Sequence, residues 1–250
     1  MKQHKTVLVT GATSGVGFQV AKVLHSQGYV VYATGRSKVV LQELAGTGIH
    51  AIEADLLEVG AIDKVMVLCP PLDIVIFSAG IGTFALAHET TDEQIEQMIQ
   101  VNVTSPMKLT SRIIPNMIKQ KSGHLIYIAS QAGKVATPKS AVYAATKHAL
   151  LGYVNATRME LQPHGIHVTS INPGPIDTPF LDLADATGTY KTSLQKFLLS
   201  IDEVTNGIVR VIERPVREMN LPWYMGISSK TYGLAPGIVE RVGRSFFMKK

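Results

Sequence analysis

Six short runs rich in Val and Ile recur along this chain: KTVLVT, YVVYAT, IHAIEA, DIVIFSAG, HLIYIAS and IHVTSINPG. Each is apolar almost throughout, not at every second position. A strand wetted on one face alternates, and a strand covered on both faces does not. Between the runs lie longer stretches such as GFQVAKVLHSQG and TDEQIEQMIQVNVTSPMKLTSRIIPNMIKQ, whose apolar residues recur at helical spacing. Such alternation predicts an α/β fold, a doubly wound parallel sheet with helices on both faces. No shift of composition marks a linker, so residues 1–250 are expected to form a single domain.

Hydrophobic residues make up 46% of the 250 and charged residues 17%, which suits a buried core and excludes a disordered chain. No apolar run approaches the ~20 residues that span a bilayer. The start, MKQHKTVLVTGATSG, lacks the apolar core of a signal peptide. One cysteine, Cys69, forms no intrachain disulfide, and the expected location is the cytoplasm. No metal site is expected. The net charge of +5 lies wholly in residues 210–250, which hold eight basic and three acidic side chains. A solvated basic end is the plain reading. Trp223, Tyr224, Phe246 and Phe247 accompany that charge, so contact with an anionic membrane surface is a weaker reading. Packing of these aromatics in the core or at a subunit contact is preferred. No basic motif interleaved with stacking aromatics suggests nucleic-acid binding.

After Pro173 the pattern loosens. PGPIDTPFLDLADATGTYKTSLQKF is punctuated by Gly, Pro and Thr. A long excursion of this kind is expected to form a substrate lid over about 175–200. Phe180, Leu181, Leu183 and Tyr190 in it suggest either a partly apolar substrate or a surface loop with incidental apolar residues. IDEVTNGIVRVIER reads as a helix, LPWYMG as a last edge strand and APGIVERVGRSFF as a final helix, within a C-terminal extension over about 215–250.

The first run stops at Thr10-Gly11, and three glycines then fall within seven residues: Gly11, Gly15 and Gly17. A strand that ends in glycine and feeds a helix suits a phosphate. The unpaired N–H groups and the positive dipole end of the helix face outward there. Glycine lets the phosphate approach the backbone and lets the helix pack closely on the strand. Candidate contacts are Gly11, Thr13, Ser14, Gly15, Val16 and Gly17. No Gly-Lys-Ser/Thr follows, which disfavours a nucleoside-triphosphate loop. An NAD site usually ends its second strand with an acid that holds the ribose hydroxyls. Here that strand ends Thr34-Gly35-Arg36-Ser37. Arg36, aided by Ser37 and Lys38, matches a 2′-phosphate, so NADP(H) is expected over NAD(H). Asp55 follows the third strand and either accepts a hydrogen bond from adenine or caps the next helix.

In SAVYAATKHALLGY, Tyr143 and Lys147 stand four apart in a helical pattern and share a face. The pair alone is weak evidence. Ser130 ends the fifth run, at the carboxyl edge of the sheet where open α/β folds bind ligands.

In family order and spacing, the chain carries Thr10-Gly11-x-x-x-Gly15-x-Gly17, Asp55, Ala79-Gly80, Asn102, Ser130, Tyr143-x-x-x-Lys147 and Pro173-Gly174. It thereby resembles the short-chain dehydrogenase/reductase family over residues 5 to about 180. Phe77-Ser78 stands where the family usually has two asparagines. The resemblance implies a Rossmann fold and an oxidoreductase acting on a small-molecule carbonyl/alcohol pair. Tyr143 would be general acid/base, and Lys147 would lower its pKa from ~10 and hold the nicotinamide ribose. Ser130 would donate to the developing oxyanion. Asn102 would anchor a relay water. Leu56, Ala79, Gly80, Pro173, Gly174, Ile176 and Thr178 would complete the cofactor site. A homodimer or homotetramer is the implied assembly. Two other readings are a non-catalytic NADPH-binding sensor, opposed by the intact Ser130, Tyr143 and Lys147, and an epimerase or dehydratase of longer sister families, opposed by the short length.

Overall fold

The computed structural model describes residues 5–185 and 188–243. Strands β1 (Thr6–Thr10), β2 (Val30–Gly35), β3 (His50–Glu53), β4 (Ile74–Phe77), β5 (Gly123–Ile128), β6 (Ile166–Pro173) and β7 (Glu218–Leu221) form one sheet in the order β3-β2-β1-β4-β5-β6-β7. Every pairing is parallel. The direction of winding reverses between β1 and β4, which opens a crevice at their carboxyl ends.

The unbroken apolar runs are explained by two cores, one on each face. Val7 and Val9 of β1 point to one face. They pack with Val20 and Leu24 of α1 (Gly15–Ser26) and with Val204 and Ile208 of α9 (Ile201–Glu213). Leu8 points to the other face, with Leu109 and Ile113 of α5 (Ser105–Gln120) and Leu150 and Val154 of α6 (Ala141–Leu161). Both faces of β4 are covered, and all four of its residues are buried. Shorter helices α2 (Lys38–Gly46) and α3 (Ala61–Leu68) follow β2 and β3.

Two elements differ from the sequence reading. The stretch at 91–120 is not one helix. It is α4 (Asp92–Ile99), a π turn at Gln100–Thr104, then α5. The edge strand is EMNL, not LPWYMG. Pro222 has no N–H to donate to a ladder, and it stands at the N-cap of α10 (Trp223–Leu234). Strand β7 pairs only with β6, through Ser170–Pro173, so it needs no continuous apolar run. The last described helix is α11 (Pro236–Val242). Phe246, Phe247 and the final basic residues lie outside the described residues, as does residue 190's side chain.

Candidate active site

The turn after β1 is fixed by backbone contacts. Gly11 has φ +66°, and a Cβ there would lie 2.6 Å from the Ala79 Cα. A Cβ on Gly17 would meet the Gly11 carbonyl oxygen at 2.4 Å. Gly15 has φ +51° and faces the Thr178 methyl. The turn is also tied to its neighbours. The Ala12 N–H donates to the Thr34 carbonyl at 2.8 Å, and the Ala79 N–H donates to Thr10 Oγ1 at 3.2 Å. Ser14, the N-cap of α1, makes no side-chain cap bond, and the first turn of α1 holds no acid. The opening N–H groups of the helix therefore face the crevice with their partial positive charge uncancelled.

On the rim beyond β2 and β3 stand exposed Arg36 and half-buried Asp55. Of Arg36's intended helpers, Ser37 caps α2 by accepting from the Val40 N–H, and Lys38 pairs with Glu53 at 3.5 Å. Asp55 accepts from the Leu57 N–H at 3.0 Å and so closes its own turn, while Gly60 is the N-cap of α3.

Across the crevice, Ser130 leaves β5 in extended conformation and accepts from the Ala132 N–H at 3.0 Å. Its hydroxyl lies beside the Tyr143 phenol, near enough to favour the phenolate. Tyr143 and Lys147 project from the first turns of α6, and both are buried. Lys147 Nζ donates to the Ile128 carbonyl at 3.0 Å and lies 5.7 Å from the Tyr143 ring centre. The expectation that Lys147 depresses the phenol's pKa is reversed here. Burial pushes Tyr143 up to about 12, with the neighbouring Ser130 hydroxyl opposing it, and burial pushes Lys147 down to about 8. Desolvation disfavours each charged form, and the amine is aimed at a carbonyl, not at the phenol oxygen.

Behind them the π turn carries Asn102. Its Oδ1 accepts from the Ile81 N–H at 2.9 Å, and its Nδ2 donates to the Ile81 carbonyl at 2.8 Å and to Thr146 Oγ1 at 3.1 Å. One side chain thus clamps the loop after β4 onto α6. On the far side, Ile176 bridges Leu199. The Pro175 carbonyl and Asp177 N–H both turn toward Leu199, so the Ile176 N–H turns the other way.

A single cleft of about 710 Å³ joins these groups. Of the catalytic and cofactor-binding candidates named from the sequence, all line it except Gly17 and Asn102, and the helpers Ser37 and Lys38 do not line it. Gly17 sits behind the turn, where it lets α1 pack on Gly11, and Asn102 sits behind the Ile81 loop. Among the described residues no cluster of His, Cys, Asp or Glu is arranged to hold a metal.

A model of the short chain dehydrogenase family matches residues 5–187. The chain belongs to the short-chain dehydrogenase family. It is an oxidoreductase of the CH–OH/C=O class. An uncharacterized oxidoreductase of Staphylococcus aureus is 34% identical over 222 residues, 84% of this chain and 92% of that protein. The closed form of serine dehydrogenase complexed with NADP+ superposes with a TM-score of 0.81 at 29% identity, covering 86% of this chain and 93% of that one. The 3-ketoacyl-(acyl-carrier-protein) reductase of Brucella melitensis complexed with NADH does so at 0.79 and 25% identity, covering 88% and 97%.

One departure from the family pattern has a local answer. With no asparagines at Phe77-Ser78, the Thr10 hydroxyl holds the Ala79 N–H. A second wall of this dehydrogenase's cleft escaped the sequence reading. Phe84 packs edge-on to Tyr143 at 5.9 Å between ring centres, and Tyr224, Met225, Ser228 and Tyr232 of α10 close the far end with Val239 of α11. The spacing of 224, 228 and 232 marks a helix face, but nothing in the letters says what that face meets. In α7 (Pro179–Ala184), Phe180 and Leu181 line the cleft, while Leu183 is 81% exposed and points away. Trp223 is 73% exposed, so it is not a core residue.

Proposed function

We propose that this dehydrogenase uses NADP(H) in preference to NAD(H), with Tyr143 as the proton donor and acceptor for the substrate oxygen. The observation that carries the reading is a buried phenol beside Ser130, opposite an uncapped helix N-terminus, in one cleft.

The residues present fit a dinucleotide. Glycine is required at Gly11 and Gly17, and the N–H groups of Gly15 and Val16 at the start of α1 would receive the pyrophosphate. Arg36 stands where a 2′-phosphate would sit, with no ion pair to any described residue. Asp55 and Leu56 would border the adenine, and Ala79 and Gly80 the ribose beyond it. The Ile176 N–H and Thr178 hydroxyl would hold the carboxamide beside Pro173 and Gly174. When bound, the dinucleotide supplies the hydride exchanged with the substrate carbon.

The chain's own side chains manage the oxygen and the proton. Tyr143, with a pKa near 12, stays protonated at neutral pH and gives its proton to a carbonyl oxygen as charge develops there. Ser130 donates a second hydrogen bond to that oxygen. Lys147 sits one turn away, and its amine, with a pKa near 8, holds or releases a proton close to neutral pH. Asn102 fixes the floor on which Lys147 rests. The segment over about 175–200 acts as the lid. Exposed Trp223, Ile227, Leu234, Ile238 and Val242 on α10 and α11 are where copies of the chain meet as a homo-oligomer. The cytoplasm is the proposed location, supported by the lone Cys69.

The test is NADPH oxidation with a panel of ketones and aldehydes. Tyr143→Phe should lower kcat/KM by roughly 10²- to 10⁴-fold with NADPH binding retained. Equal rates for variant and wild type across the panel would leave an NADPH-binding protein without this chemistry.

A further inference from the structure

We infer that the substrate is a neutral, apolar carbonyl compound or its alcohol, with a chain or ring system reaching well beyond the reacting carbon. Hydroxy acids, amino acids and phosphorylated sugars are disfavoured. The inference rests on the proposed role of Tyr143, because that residue marks where the carbonyl sits.

The evidence is the charge along the cleft. Among the described residues its only charged lining groups are Arg36, Asp55 and Lys147. Arg36 and Asp55 stand on the rim beyond β2 and β3. Lys147 lies behind Tyr143 and is bonded to the Ile128 carbonyl. Beyond Tyr143 the walls are Phe84, Phe180, Leu194, Phe197, Met225 and Val239, with hydroxyls and Gln131 the polar groups among them. Gln131 is already used. Its amide donates to the Asn172 carbonyl at 2.8 Å and to Asn220 Oδ1 at 3.0 Å.

Among the described residues, Lys134 and Lys191 stand close in sequence to the lining residues Val135 and Ser193, and neither is spare. Lys134 pairs with Glu218 at 2.8 Å. Lys191 lies 3.0 Å from both Asp177 and Asp182. A substrate carboxylate or phosphate would lose its water and gain no cation from the described residues. An alkyl chain would lose only water that it orders unfavourably.

The walls also explain the reach. They come from the loop after β4, from α7, from α8 (Thr189–Leu194) and its 3-10 extension Gln195–Phe197, and from both C-terminal helices. Phe180 is backed by Gly82, where a Cβ would lie 2.7 Å from the ring, so it stays against Tyr143. Apolar surface therefore continues from the reacting group to the mouth.

The experiment uses the full chain with NADPH and a series from 2-butanone through 2-hexanone and 2-octanone to 2-decanone. Burial of each added methylene should raise kcat/KM by roughly threefold or more. 9-Oxodecanoic acid, matched to 2-decanone in length but ending in a carboxylate, should be at least about 30-fold poorer. Phe197→Arg places a cation on the wall at a half-exposed position and should raise the ratio of 9-oxodecanoate to 2-decanone about tenfold. A flat series, or equal turnover of the carboxylate, overturns the substrate class while leaving Tyr143-dependent reduction of 2,3-butanedione intact. If no carbonyl is reduced, 2,3-butanedione included, the Tyr143 reading falls and takes this inference with it.

Discussion

The two walls of the cleft are built by different means. The wall at β1 and α1 is backbone, packed so closely that a Cβ on Gly11 or Gly17 would lie 2.4 to 2.6 Å from a neighbouring backbone atom. The wall at α10 and α11 is side chain, on helices that leave Trp223, Ile227, Leu234 and Ile238 largely exposed. The first can accept almost no substitution. The second can change residue by residue while the sheet stays as it is. A family can therefore keep one cofactor cradle and vary what it reduces.

Substitution should separate the walls in order of effect. Gly17→Val is the most severe, because its Cβ would strike the Gly11 carbonyl, and neither backbone can yield. Overpacking of this kind should cost about 3 kcal/mol or more of stability in thermal or urea unfolding, with NADPH binding lost as the turn shifts. Should Gly17→Val fold and bind normally, the cradle is less rigid than the geometry states. Arg36→Ala comes next. Losing a charge-assisted contact should weaken NADPH binding about 10- to 100-fold by titration calorimetry and leave NADH nearly unchanged. Equal losses for both would remove the 2′-phosphate assignment.

A smaller effect is read against pH. Lys147 is held near pKa 8 in the folded chain, below its ordinary value near 10.5, so between those values the unfolded chain binds more protons. Stability then rises with pH across that window. The gain from this group should be about 1 kcal/mol between pH 8 and 9, measured as wild type minus Lys147→Met to cancel other groups. An unchanged difference would mean the amine is not desolvated. Least costly is Trp223→Glu on the side-chain wall, which should alter protomer stability by no more than about 0.5 kcal/mol. It should nonetheless shift the molecule to a smaller species in sedimentation. A smaller species would tie the exposed face to assembly, and an unchanged one would remove it.

The same contrast governs what the sequence discloses. The strands are legible because β1, β4 and β6 are covered on both faces and leave continuous apolar runs. The glycine turn is legible because only glycine can occupy Gly11 and Gly17. The spacing from Ser130 to Tyr143 carries the catalytic edge for the same reason, since one strand end and the next helix are joined by a fixed length of chain. Strand β7 is not legible, because an edge strand of Glu, Met, Asn and Leu has no apolar signature. The α10 wall is not legible either, since Tyr224 and Tyr232 acquire meaning only when the fold brings them into the cleft that holds Tyr143, 81 and 89 residues back. The shift of the phenol also depends on burial, which the four-residue spacing from Tyr143 to Lys147 does not contain.

The π turn at Gln100–Thr104 has a consequence of its own. It inserts one residue between α4 and α5, so the two helices run out of phase by about 100°. Removing that residue would give a more regular rod with better-spaced amide bonds. It would also swing Asn102 off Ile81 and release the loop packed against Lys147, with every strand still in place. At this point a defect in the helix is what aligns the floor of the site.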